Sequence, residues 1–148
     1  MRTSPLLVLL FALVVPASAR IGGTETELTK RYGSPASRRS DAIPSAIFTF
    51  DGWMVTCDFI DGVCARVSYA KNGEWTEETF DKLLSANGDR AGWIDHGTPS
   101  MRKLARSWQR ADGTLAKWVV GCLSITSPRY EKAKALSEIE ALMAATST

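Results

Sequence analysis

Residues 46–69, AIFTFDGWMVTCDFIDGVCARVSY, decide the fold. Ala46 to Phe50 is β-prone and runs into Asp51-Gly52, a pair suited to a type I′ turn because both positions need positive φ. Residues 53–59 then alternate, with Trp53, Val55, Cys57 and Phe59 on one face and Thr56 and Asp58 on the other. A two-residue turn sets Phe50 opposite Trp53 and Phe48 opposite Val55, so one apolar face continues across both strands. The second pair, Asp61-Gly62, behaves differently. A two-residue turn there would bring Arg66 and Ser68 onto the face of Val55 and Cys57. A three-residue loop, Ile60-Asp61-Gly62, instead sets Val63 opposite Phe59, Ala65 opposite Cys57 and Val67 opposite Val55. The prediction is a three-stranded antiparallel meander, with Cys57 inward and Cys64 outward.

Upstream, Thr24 and Glu27 stand at capping-box spacing, Leu28 and Tyr32 share a face, and Gly33 with Pro35 supplies a stop. This predicts a helix over 24–32, followed by a polar loop over 34–45. Downstream, Asn72-Gly73 closes the meander and Thr76 caps a helix to about Ala86, with Phe80, Leu83 and Leu84 inward and Asn87-Gly88 as a left-handed end. Residues 89–100 read as irregular. Over 101–111 two readings compete: Met101, Leu104, Ala105 and Trp108 have helical spacing, whereas Asp112-Gly113 beside the β-like run 115–126 favours a hairpin. Ser127 and Pro128 then open a last helix to about Ala144, with Tyr130, Ala133, Leu136, Ile139, Leu142 and Met143 as its apolar stripe. The predicted order is α-βββ-α-ββ-α. It describes an α+β domain with an antiparallel sheet of about five strands and helices packed on one face.

The N-terminus carries an export signal: Arg2, the ten-residue apolar run 6–15, Pro16, and small residues Ala17-Ser18-Ala19 at a cleavage position. Such a run is too short to span about 30 Å of hydrocarbon as a helix. No cysteine follows it, which argues against a lipid anchor, and no later stretch suits a transmembrane span. Cleavage after Ala19 leaves residues 20–148 as a single domain in the periplasm or medium. Loss of Arg2 takes the formal charge from +2 to +1, a balance that gives no argument for nucleic acid as a partner.

Chemistry-bearing residues are sparse. The single histidine, His96, follows Asp95, and Asp95 or Asp58 could orient it as a general base. Against this, sequence neighbours rarely face each other and no nucleophile motif accompanies the pair. With one histidine and scattered acids, no metal-ligand spacing exists, and no cofactor motif is present. Cys57, Cys64 and Cys122 are an odd set for an oxidising compartment. Two readings stand: a Cys57–Cys122 bridge with Cys64 free, or three reduced thiols acting as small apolar residues. Five tryptophans, at 53, 75, 93, 108 and 118, allow an aromatic platform for sugars, and Arg102, Lys103, Arg106 and Arg110 form a basic stretch that reads as a solvated face.

The segment Leu28-Thr29-Lys30-Arg31-Tyr32-Gly33-Ser34-Pro35, followed by a meander with two Asp-Gly turns, resembles the SmpA/OmlA outer-membrane lipoprotein and β-lactamase-inhibitor-like fold over about residues 22–70. Leu83-Leu84-Ser85-Ala86-Asn87, with Trp93, Trp108 and Asp112-Gly113, is similar to small uncharacterised exported proteins of environmental bacteria. The resemblance implies envelope assembly or protein binding and brings no catalytic residues; the lipoproteins' anchoring cysteine is missing here. The leading expectation is therefore an exported, non-enzymatic domain that binds a protein or an envelope component. The alternatives are a small envelope hydrolase using His96 with Asp95 or Asp58, and a carbohydrate-binding module.

Overall fold

A computed structural model describes residues 21–147; the expected export signal and its expected cleavage position lie outside the described residues. The chain folds as one eight-stranded antiparallel sheet with three α-helices, which corrects the five-strand expectation. Strands β1 (Ser37–Arg39), β2 (Ser45–Phe50), β3 (Trp53–Ile60) and β4 (Val63–Ala70) are followed by β5 (Ile94–Asp95), β6 (Ala105–Gln109), β7 (Leu115–Val119) and β8 (Cys122–Thr126). Their spatial order is β1-β2-β3-β4-β8-β7-β6-β5. Two antiparallel halves thus meet at the β4–β8 seam.

Three strands escaped the sequence reading. β1 sits in the stretch read as loop, and its polar residues are fully exposed at a sheet edge, so it has no hydrophobic alternation to betray it. β5 has two residues and covers the other edge. The run 115–126 is two strands, because Val120-Gly121 forms a tight turn with Gly121 at φ 84°. Over 101–111 the strand reading holds: β6 pairs with β7, while Pro99–Met101 forms a single 3₁₀ turn.

The first hairpin has the predicted register, with Phe50 opposite Trp53 and Phe48 opposite Val55. The second does not. Asp61 and Gly62 both adopt positive φ, 49° and 78°, in a two-residue turn that sets Ile60 opposite Val63 and Phe59 opposite Cys64. The extra residue lies inside β4 instead: Ala65 falls between the pairs Phe59–Cys64 and Asp58–Arg66. This bulge keeps Val67 and Tyr69 on the core face while allowing the turn that fits strand twist best. It also turns Cys64 inward, where it is buried beside Cys57.

Helix α1 (Glu25–Tyr32) carries the expected capping box between Thr24 and Glu27 and lays Leu28 and Tyr32 against Phe48. Helix α2 (Glu77–Ser85) buries Phe80, Leu83 and Leu84 on the same sheet face, over Trp108 and Trp118. It ends on Ala86 in right-handed conformation, not on a left-handed Asn87. Asn87 is fully buried: its amide donates to Tyr69 Oη (3.0 Å) and Leu83 O (2.9 Å), and its Oδ1 accepts from Ile21 N–H (3.2 Å).

Helix α3 (Pro128–Thr146) corrects the picture of helices on one face. Its first turn meets the opposite sheet face, where the Arg66 guanidinium, paired with Asp58 at 2.9 Å, lies over the Tyr130 ring. Beyond that base none of its residues is buried, and Leu136, Ile139, Leu142 and Met143 are each more than half exposed.

A candidate binding cleft beside the tryptophan cluster

An open cleft lies where three segments converge beside the core. Lys71 follows the end of β4, and its N–H donates to Gly121 O in the β7–β8 turn (3.2 Å), so the seam between the sheet halves aligns these two turns. Trp75 follows, and its indole N–H reaches Lys71 O (3.4 Å). Thr76 then caps α2 by accepting from Thr79 N–H (3.2 Å), which places Glu77 in the first turn. The third side is the segment carrying Arg102 and Lys103, which leads into β6 and Arg106. Together they enclose an open cleft of about 660 Å³.

Its wall is aromatic. Trp75 meets Trp53 edge-on (5.2 Å between centroids), Phe80 (5.5 Å) and Trp118 (5.9 Å). None of the five tryptophans is exposed and the contacting rings are inclined to one another, so no pair presents the flat platform that sugar binding would use. The rings belong to or pack against the core, and Trp75, Phe80 and Trp118 also line the cleft.

Its charge is basic with one organised centre. Arg106 lies in β6 beside Trp118 of β7, with its side chain only 6% exposed. The guanidinium sits between the Phe80 ring (4.8 Å) and the Trp108 ring (4.7 Å), an arrangement that lowers the cost of burying a cation. Nη1 donates to Glu77 Oε1 (2.5 Å) and Nη2 to Asp95 Oδ2 (3.2 Å). Nε has no acceptor, and neither does the buried Trp118 Nε1. Arg110 is likewise held, donating to Asn87 O (2.8 Å) over the Trp93 ring. The expected solvated basic face is thus corrected: Arg106 and Arg110 pack inward, while Arg102 and Lys103 remain at the surface. Lys71 extends over the Trp53 ring (5.1 Å), and no carboxylate pairs with Lys71 or Lys103 among the described residues.

The hydrolase residues are not assembled. His96 is exposed, beside a second open cleft of about 270 Å³, and none of the hydrogen bonds or ion pairs among the described residues involves its imidazole. Asp95 turns instead to Gly97 N–H (2.7 Å), Arg106 and Arg102 (3.5 Å). Burial opposes its ionisation, but the Gly97 N–H and the two guanidiniums outweigh burial and hold the carboxyl below its usual range. Asp58 is in β3 and His96 beside β5, five strand steps apart in the sheet, roughly 24 Å at ~4.8 Å per step.

None of the three thiols lines the cleft. Leu123 and Ile125 face the core, so Cys122 lies on the opposite side of the sheet from Cys57, and the Cys57–Cys122 pairing is excluded by face. All three cysteines are free. Cys64 donates to Arg66 O (3.2 Å), and the neighbouring Cys57 thiol together with burial pushes its ionisation well above the usual thiol range. Among the described residues no three histidines, cysteines or acids converge as a metal site, and no helix is long and apolar enough to cross a membrane.

The sequence reading named Arg102, Lys103 and Arg106 but missed Lys71 and Glu77. Both are ordinary surface types, and only the seam that brings residues 71–77 beside 102–106 gives them a shared role. No family model and no curated protein matches the chain. Among solved structures, a cysteine-rich secretory protein from Staphylococcus aureus subsp. aureus Mu50 superposes with a TM-score of 0.49 at 8% identity. The match covers 74% of this chain and 45% of that one.

Proposed function

We propose that this is an exported, non-enzymatic domain that binds an acidic protein or an anionic component of the cell envelope through the cleft at Lys71, Lys103 and Arg106. Support for export comes from the tripartite N-terminus of the sequence. The observation that carries the binding reading is that Lys71 and Lys103 line the same cleft as Arg106 and have no carboxylate partner among the described residues. A surface cation left unpaired is ordinary; two that share one cleft with an arginine form a seat for an anion. Val120 at the cleft and Leu104, whose carbonyl accepts from the Val120 N–H (3.2 Å), are each more than half exposed, which favours a protein partner.

The test compares the mature protein with a Lys71→Glu/Lys103→Glu variant in stoichiometric co-purification from the native envelope fraction, at low and high salt. Charge reversal is expected to abolish capture of the wild-type partner, and capture is expected to weaken with salt. Capture that is indifferent to both would rule out this cleft. A His96→Ala variant should bind as wild type; a hydrolytic activity of the wild type that disappears in this variant would refute the non-enzymatic reading.

A further inference from the structure

The two carboxylates on Arg106 are unlike. Asp95 is fixed by three donors from two directions: the Gly97 N–H, Arg106 and Arg102. Glu77 has Arg106 as its ion-pair partner, and its side chain is 73% exposed against 6% for the arginine. It reaches the guanidinium from the solvent side of the cleft, off the first turn of α2. Resting on the reading of this cleft as an anion seat, we propose that Glu77 is a displaceable internal counter-ion, holding the place that an acidic residue of a partner protein takes on binding.

The energetics favour such an exchange. Desolvation of Arg106 is already met by the Phe80 and Trp108 rings and by Asp95, so an incoming carboxylate need not bury a new cation. Glu77 returns to water from a position where its side chain is already 73% exposed, so its own rehydration is nearly complete before it leaves. The arriving group takes the Nη1 donor that Glu77 vacates and adds the fields of Lys71 and Lys103, which line the same cleft. A small acid would leave Leu104 and Val120 wet, whereas a segment bearing an acid beside leucines covers them. The class of partner is therefore an acidic, apolar peptide segment.

The experiment titrates residues 20–148 with a nonapeptide in which two glutamates are flanked by leucines, with its glutamine counterpart, and with acetate. Binding is read by calorimetry and by tryptophan fluorescence, since Trp75 and Trp118 line the cleft. Glu77→Gln, with folding checked by circular dichroism, is expected to tighten the glutamate peptide about 5- to 10-fold by removing the competing charge, a coupling of ordinary size. The glutamine peptide should bind neither form. If Glu77→Gln binds the acidic peptide no better than wild type, the exchange is overturned while the cleft stands. If neither form distinguishes the acidic peptide from the neutral one, the cleft reading falls with it. Acetate that competes at equal concentration would overturn the protein segment as occupant.

Discussion

A few buried polar side chains organise the space around the candidate site. Asn87 ties Ile21, the C-terminal end of α2 and Tyr69 into one node, and its own carbonyl accepts from Arg110. Arg106 does the same for α2 and β5, through Glu77 and Asp95. Asp95 gives this centre a pH signature. Its carboxyl is depressed in the folded state, so its contribution to stability is present above the unfolded value near 3.9 and is lost as pH falls through the folded value. Asp95→Asn should therefore lower the urea midpoint at pH 7 and flatten its decline between pH 5 and 3. An unchanged acid limb in the variant would show that Asp95 does not hold Arg106 in solution. The imidazole of His96, the exposed residue between Asp95 and Gly97, belongs to no such network.

Among the elements, tight turns decide more than strand propensity does. Asp51-Gly52 and Asp61-Gly62 both close two-residue hairpins, and the conflict between turn and hydrophobic pattern in the second is resolved by the bulge at Ala65. Sequence reasoning recognised that one extra residue was needed, but periodicity alone does not say whether it sits in the turn or in the strand. The β7–β8 turn was overlooked because Gly121 has no Asn or Asp before it. Its φ of 84° is left-handed, and the nearest atom to an added Cβ is Lys71 O at 3.8 Å, so a side chain there meets conformational strain without a clash. Gly121→Ala is expected to cost about 1 kcal/mol, read as a lower urea midpoint at unchanged slope. The cleft inherits this turn as a wall, so the same variant should also weaken anionic peptide binding.

For the whole molecule, the sheet and its first two helices form the stable body, and α3 stands largely apart from it. Its base is held by Ser127 N–H on Ala65 O (2.9 Å), by Arg66 over Tyr130, and by the Arg129–Asp61 ion pair. Past Tyr130 it buries no side chain, so its stability comes from its own hydrogen bonds and the Ser127 cap. Removing residues 136–148 should leave the thermal midpoint of the body unchanged within about 2 °C, an expectation that follows from the absence of lost burial. A drop of many degrees would mean that the exposed stripe at Leu136, Ile139 and Leu142 is covered in solution. The aromatic cluster, by contrast, spans both sheet halves through Trp53, Trp75 and Trp118, and it fuses them into one core.

What the sequence determined by itself was local: the Thr24–Glu27 cap, the hairpin at Asp51-Gly52, the start of α2 at Thr76 and the opening of α3 at Ser127-Pro128. Each rests on neighbours a few residues apart, where turn and cap chemistry act directly. The tertiary structure alone decided the eight-strand order, the inward turn of Cys64, the separation of His96 from Asp58, and the union of Lys71 and Glu77 with Arg106. All four depend on the β4–β8 seam or on a bulge. Pairing between strands more than fifty residues apart is set by the packing of whole faces, which no short stretch of sequence records.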